Sequence, residues 1–442
     1  MKIRLSVLIT LLVIATAFAQ DKKWTLKECV DHALEHNIAI KKNKKFVEIS
    51  EVDVMDAKGN FLPNLNASVN PGLNFGSSIG QDGARISTDN FRSSFTLNSN
   101  TTIFNGFRNT ITYKQAKLGV EASKLDLQKI EDDISLFVVN AYLNVLFAKE
   151  NLEVAQTQYE ISTKNIEVTQ AQVDAGVKPK GDLLDAESTV ATDAQNVVTQ
   201  QNALDLALLS LAQLLQVSPD NFDVATIDVG SPSIATLYEN SNMVYEKALD
   251  NRAEIARAKL AVDNAELGIE LAKSAYSPSL GFSAGAGTSY QNVFNSAFTN
   301  DSFTDQFKNN LGYSLGFSLN IPIFNRNQTK ANVNRSIINQ KISEIDLEDQ
   351  KLQLKETIER AYLDAKAAAK SFEVAKISLD AQKEAFKNAE ERYNLGAMTS
   401  FDFDQVRSRF VDAESTLIRA KFDYVFKTKV LEFYFGEEIV LE

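Results

Sequence analysis

Residues 103–216 return, without a gap, as residues 323–436. Ile103-Phe104-Asn105 reappears as Ile323-Phe324-Asn325, Ala141-Tyr142-Leu143 as Ala361-Tyr362-Leu363, and Glu153-Val154-Ala155 as Glu373-Val374-Ala375. Gly176 and Asp182 reappear as Gly396 and Asp402. A repeat of this length is a duplicated structural unit, and any fold proposed for the chain must contain the unit twice.

Each copy opens on a charge-poor stretch with period-two alternation. In 61–80, Leu65, Ala67, Val69, Leu73 and Phe75 alternate with Asn66, Ser68, Asn70, Gly72 and Asn74. The stretches 93–107, 278–290 and 311–323 behave alike, the last opposing Leu311, Tyr313, Leu315, Phe317 and Leu319 to Gly312, Ser314, Gly316, Ser318 and Asn320. One apolar and one uncharged polar face is a strand signal, and about 9–11 such residues cross a bilayer. The linkers 77–90 and 291–308 read as polar outer loops.

Very long helical pattern follows each strand pair. Residues 107–175 and 327–395 contain no Pro, and Ile130, Ile134, Phe137, Ala141, Val145, Ala148, Leu152, Ala155 and Tyr159 keep the 3–4 spacing of a coiled-coil seam. A helix of that length spans roughly 100 Å. Both runs break at a glycine, Gly176 (with Pro179 and Gly181) and Gly396 (with Thr399 and Ser400), and return as helices at about 182–215 and 402–432. The glycines suit the left-handed position past a helix end, and Asp182 and Asp402 are placed to cap the returning helices. Helix is also expected over 25–58, opened by the capping box Thr25/Glu28, and over 241–275.

Composition narrows the partners. The chain has 46 Lys+Arg against 58 Asp+Glu, a net charge of −12, which argues against nucleic acid. Lys2 and Arg4, the apolar run Leu5–Ile14 and Ala17-Phe18-Ala19 read as a cleaved leader over 1–19. The one cysteine, Cys29, allows no internal disulfide and does not sit at the cleavage site. No later segment has 18 consecutive apolar residues. The expected division is 1–19 leader, 20–60 N-terminal helical segment, 61–216 first repeat, 217–240 equatorial connector, 241–436 second repeat and 437–442 tail.

No catalytic set, cofactor motif or metal site is assigned, and no enzyme is expected. His32 and His36 fit an H-x-x-E-H pattern, but they are the chain's only two histidines and read as a solvated helix face. Gly281, Gly285 and Gly287 lie inside a strand pattern and form no phosphate loop. The run Glu131-Asp132-Asp133 reads as solvated helix surface.

Four strands per chain cannot close a barrel in lipid, where open edges leave backbone groups unsatisfied, so several copies must share one. A trimer gives twelve strands, enough to enclose a lumen lined by Asn, Ser, Thr and Gly. The order and spacing of Trp24-Thr25-Leu26-Lys27-Glu28, Ala33-Leu34-Glu35-His36-Asn37, the strand exits Ile103–Gly106 and Pro322–Asn325, and the two Gly-x5-Asp turns resemble the TolC-type outer-membrane efflux family. The resemblance covers essentially all of the chain past the leader. It implies a mixed α and β membrane protein: a homotrimeric twelve-stranded barrel in outer-membrane lipid, four strands per chain, continuing into a periplasmic helical barrel. It implies a passive exit duct for tripartite efflux or type I secretion, docked to a periplasmic adaptor (membrane fusion) protein and an inner-membrane transporter of RND or ABC type, in a Gram-negative bacterium. It places the docking tips at Ala175-Gly176-Val177 and Leu395-Gly396-Ala397. Gate carboxylates fall on Asp182, Asp185, Asp402 and Asp404; the family's second acidic position falls on Gln405. The alternative is a trimeric structural or adhesive surface protein with a coiled-coil stalk.

Overall fold

The computed structural model describes residues 23–79, 83, 85–226, 240–294 and 300–437; the expected leader, the stretch 227–239 and the tail 438–442 lie outside them. Along the chain run β1 (Lys23–Trp24), α1 (Leu26–His36), α2 (Ile38–Gly59), β2 (Asn66–Asn74), β3 (Ser77–Ile79), β4 (Arg85–Ser87), β5 (Asn90–Phe104), α3 (Arg108–Asp174) and α4 (Lys180–Leu215). They continue as β6 (Asp223–Val224), α5 (Ser241–Asn251), α6 (Ala253–Lys273), β7 (Ser279–Val293), α7 (Phe303–Asn309), β8 (Gly312–Asn320), α8 (Gln328–Asn394) and α9 (Ser400–Phe435). The chain divides into two compact units, Met1–Lys44, Leu125–Ala256 and Asp349–Glu442 in one, Lys45–Lys124 and Arg257–Glu348 in the other.

The second unit holds one antiparallel sheet in the order β2-β5-β7-β8. Its central pair joins the two repeats, with Phe95 opposite Thr288 and Thr101 opposite Phe282. Period-two alternation puts Val69, Leu73, Phe91, Phe95, Phe282 and Phe317 on one face, and Phe282 and Phe317 meet at 5.0 Å between ring centres. At the edge strands that face is bare in the single chain: Tyr313 and Leu315 are 79% and 78% exposed. The opposite face carries Asn66, Ser68, Asn98, Ser314 and a run of glycines, with Ser68 and Thr96 hydroxyls bonded at 2.6 Å. The two outermost strands, β2 and β8, each pair on one side only.

Both linkers expected to be plain loops contain structure. β3 pairs with β4 as a short hairpin. α7 covers the part of β7 that β8 does not reach, with Phe307 against Phe95 at 5.5 Å and the Thr288 hydroxyl donating to the Phe307 carbonyl at 2.8 Å. A seven-residue helix capped by Ser302 is too short for periodicity to reveal.

The strand-to-helix turns repeat with the sequence. Asn105 donates to the Asn109 side chain at 2.8 Å, and its counterpart Asn325 donates to Thr329. Both turns need two left-handed residues, Gly106 (φ 65°) and Phe107 (φ 65°) in the first copy, Arg326 (φ 56°) and Asn327 (φ 64°) in the second. At Gly106 the backbone also approaches closely: a Cβ there would sit 2.6 Å from the Ser274 carbonyl oxygen.

In the first unit, α1, α3, α4 and α9 enclose the main core. Tyr142, Val138, Val139, Val145, Leu211 and Leu215 are fully buried. The buried stripe of α3 is wider than a two-helix seam, because α3 packs against several neighbours. Ile134, Val145, Ala148, Leu152 and Ala155 are buried as expected, but Phe137 is 59% exposed and Tyr159 is 38% exposed. The Tyr142 hydroxyl donates to the Ala225 carbonyl at 2.7 Å, which ties α3 to the parallel pair β1–β6.

Two expected helices are each split by one residue. Asn37 ends α1, and its side-chain oxygen then accepts from Ala39 N at 2.8 Å while its amide donates to the Leu214 carbonyl at 3.1 Å. Arg252 lies between α5 and α6 in extended backbone. Its buried guanidinium contacts Asp132 at 3.2 Å and Glu254 at 3.3 Å and lies 4.4 Å over the Phe433 ring. Asp132 is therefore no solvated surface residue: burial pushes its carboxyl above the ordinary range, against the pull of Arg252. His32 and His36 stack at 4.1 Å, and Trp24 meets His32 edge-on at 5.0 Å. Among the described residues no group of three metal-ligating side chains occurs.

Candidate functional site

The two hairpin ends are built by one backbone device used twice. Past α3, Gly176 takes φ 70°, its N–H donates to the Val173 carbonyl at 2.9 Å, and Val177 N donates to the Gln172 carbonyl at 2.8 Å. Past α8, Gly396 takes φ 71°, its N–H donates to the Tyr393 carbonyl at 3.0 Å, and Ala397 N donates to the Arg392 carbonyl at 2.8 Å. This paired closure satisfies the last helical carbonyls and turns the chain out of the helix. It leaves apolar side chains in solvent: Val177 is 74% exposed and Leu395 83%. Ala175, Gly176, Gly396 and Ala397 are exposed beside them.

The returning helices start differently. Thr399 caps α9: its hydroxyl accepts from Asp402 N at 3.2 Å and donates to the Asp402 carboxylate at 2.7 Å. Pro179 precedes α4 and supplies no side-chain cap; Asp182 N donates to the Pro179 carbonyl at 3.1 Å. Asp182 and Asp402 are therefore third residues of their helices rather than caps. In that place each carboxylate meets the positive end of the helix dipole.

The four candidate carboxylates separate into two settings. Asp182 and Asp402 line one open groove between the turns, with Val177, Lys178, Leu395 and Gln405. The Lys178 ammonium lies 3.9 Å over the Tyr393 ring, and Tyr393 stacks on Phe403 at 4.6 Å, so the groove floor is aromatic and packed. Asp404 turns away from the groove into a half-buried ion network. Arg407 contacts Asp193 at 2.8 Å and Asp404 at 3.5 Å, and the Thr189 hydroxyl donates to Asp404 at 3.4 Å. Burial pushes the Asp404 carboxyl upward, opposed by Arg407 and Thr189 and assisted by Asp193 and Asp185. Asp185 itself is exposed. In the sequence Thr399 reads only as part of the helix break, and nothing there singles out Arg407, Asp193 or Thr189. Thr399-Ser400-Phe401-Asp402 is a capping-box spacing and was legible; Arg407 to Asp193 spans 214 residues and was not.

A sheet with one bare apolar and one polar face, in the same chain as two long helical hairpins with acidic, exposed ends, defines the class of outer-membrane channel-tunnels. The chain belongs to the outer membrane efflux protein family, whose model matches residues 29–216 and 244–437. It is 22% identical to the outer membrane efflux protein BepC of Brucella suis over 91% of this chain and 83% of that one. It is 21% identical to the alkaline protease secretion protein AprF of Pseudomonas aeruginosa over 68% of this chain, and spans only 60% of that protein's length. The fold matches the outer membrane channel CmeC of Campylobacter jejuni with a TM-score of 0.73 at 19% identity, covering 93% of this chain and 85% of that one. The match to VceC of Vibrio cholerae has a TM-score of 0.72 at 16% identity, covering 94% and 97%. Family membership places the chain in the outer membrane.

Proposed function

We propose that three copies of this chain close a twelve-stranded barrel and serve as the passive exit duct of a tripartite efflux or type I secretion system. The observation that carries the reading is the four-stranded sheet with β2 and β8 open at its edges and their apolar side chains exposed. In lipid each unpaired backbone group costs several kcal/mol, so β2 of one copy must find β8 of another. The polar face, rich in Asn, Ser, Thr and Gly, then lines water, and the long hairpins continue the wall into the periplasm. The repeats 61–216 and 241–436 are the two units of this wall, joined by 217–240.

The hairpin ends are the periplasmic entrance. Asp182 and Asp402, with exposed Asp185 near them, narrow it electrostatically, favouring cations over anions, while Asp404 is held behind them by Arg407. Ala175-Gly176-Val177 and Leu395-Gly396-Ala397 present the exposed apolar tips to a periplasmic adaptor, which couples the duct to an inner-membrane transporter of RND or ABC type. The names of relatives cover both secretion and efflux, as in AprF and BepC, and the duct reading serves either.

The test pairs cross-linking with conductance. Asn70→Cys in β2 and Gly316→Cys in β8, combined on a Cys29→Ser background and moved along each strand in steps of two, are expected to give disulfide-linked trimers at one register. The same detergent-purified protein is expected to conduct ions in planar bilayers, with Asp402→Asn raising conductance or weakening block by multivalent cations. A monomer at every register, with silent bilayers, sinks the proposal.

A further inference from the structure

Within the first unit, α3, α4, α8 and α9 surround a half-enclosed cavity of about 240 Å3. Ile161, Val168, Ala186 and Phe403 form the apolar part of its wall, polar side chains such as Asn165 and Thr189 line much of the rest, and Asp404 and Arg407 stand at one end. Tyr393 also lines it and stacks on Phe403 at 4.6 Å. Ligand sites for drug-sized molecules run to about 300–1,000 Å3, so this space suits a fragment-sized molecule.

The charges decide which fragment. Arg407 is engaged by Asp193 at 2.8 Å and Asp404 at 3.5 Å, which leaves one negative charge in excess at the polar end. Asp185 adds to the negative side, and Lys164 and Glu390 on the lining offset each other. A half-buried excess charge is worth more than one in water, because screening there is weaker. An anion would find the guanidinium occupied and the field negative. Burial also pushes the Asp404 carboxyl upward, so its ionised form lacks solvation that an ammonium would restore.

We propose that this cavity is a binding site for small lipophilic monocations, arylalkylamines above all, with the ammonium on Asp404 and the aromatic ring against Phe403 and Ala186. It is separate from the groove that holds Asp182 and Asp402, and it does not rest on the duct reading.

The experiment uses the full chain in detergent at neutral pH and three probes of one shape: 2-(1-naphthyl)ethylamine, 2-(1-naphthyl)ethanol and 1-naphthylacetate. Saturation-transfer NMR and calorimetry are expected to show saturable binding of the amine, with the alcohol and the acid weaker by on the order of tenfold, the scale of one charge-assisted hydrogen bond. Asp404→Asn is expected to weaken the amine by a similar factor. Ala186→Leu, which fills the cavity and keeps every charge, is expected to abolish binding without lowering the unfolding midpoint. Asp380→Asn, on exposed α8 surface, is expected to change nothing. Equal binding of amine and alcohol, preference for the acid, non-saturable partition into detergent, or an amine affinity indifferent to both Asp404→Asn and Ala186→Leu each overturns the proposal. Bilayer conductance of the same preparation is read separately, so loss of this site and loss of the duct reading are distinguishable.

Discussion

At the two hairpin ends the backbone closes identically, while the side chains behind the turns have diverged. Leu183 and its counterpart Phe403 are both buried, at 8% and 7% exposure, so the packing register is kept. Four residues further on, Glu187 is exposed where Arg407 is buried. The partners are diverged too: Leu184 is 56% exposed where Asp404 is half-buried, and Asp193 stands where the second copy has buried Ala413. The duplication therefore supplied a shared frame, and one ion network then joined the first copy's return helix to the second's. Asp193 and Thr189 come from α4, Asp404 and Arg407 from α9. An exact repeat would carry the pair twice, at 193/407 and at 187/413; the second location holds Glu187 and Ala413, so only one pair is built.

The largest effect should come from that asymmetry. Arg407→Met leaves Asp193 and Asp404 half-buried without their cation, and breaking such a pair from one side costs about 3 kcal/mol. Glu187→Met, the counterpart in the exposed first copy, should stay within about 0.5 kcal/mol. Denaturant midpoints, with hydrogen exchange of α4 and α9 to localise the loss, check both. Equal effects at the two positions would dissolve the asymmetry.

The strand-to-helix turns give a second contrast, smaller in size. Gly106 and Arg326 adopt the same left-handed φ, yet only Gly106 has backbone where a Cβ would go. Gly106→Ala carries the left-handed cost of roughly 1–2 kcal/mol and must also move the Ser274 carbonyl, for a total of about 2–3 kcal/mol. Arg326→Gly removes the left-handed cost but adds unfolded-chain entropy, and should fall within about 1 kcal/mol of zero. Thermal unfolding of the two variants under matched detergent conditions measures the difference. A neutral Gly106→Ala would mean that the turn relaxes freely.

How much of this was legible follows from the range of each interaction. Period two in 311–323 located β8, and the gap-free repeat located both hairpins, because alternation, helical spacing and glycine at a helix end are written within a few residues. The interruptions at Asn37 and Arg252 were hidden, since the apolar spacing runs through both; what fixes them is the Leu214 carbonyl and the Asp132 carboxylate, each more than a hundred residues away. Phe137 was assigned to a buried seam because a two-helix pattern was fitted to a helix with several neighbours. The four candidate gate carboxylates are named from the family resemblance, but their division into groove-lining and ion-paired residues depends on Arg407 and Asp193, which meet only in the folded chain.

The smallest contrast lies at the first turn of the return helices, and it tests whether the two ends are equally firm. Thr399 satisfies Asp402 N and is held in turn by the Asp402 carboxylate, whereas Pro179 leaves its helix start to backbone bonding alone. Removing a side-chain cap costs typically about 1 kcal/mol, so Thr399→Ala should raise amide exchange at Asp402 and Phe403 by roughly fivefold without altering the cores. Pro179→Thr adds a hydroxyl able to accept from Asp182 N but gives up the ring's restriction of the unfolded chain, about 0.4–1 kcal/mol. The two terms nearly cancel in global stability while acting on different states, so the global midpoint should move by less than about 0.5 kcal/mol. Exchange at Asp182 and Leu183 should still slow, because local opening of the first turn samples the cap and not the fully unfolded chain. If exchange at the two ends is already equal in the wild type, the missing cap at Pro179 is compensated within the turn, and the first hairpin end is as firm as the second.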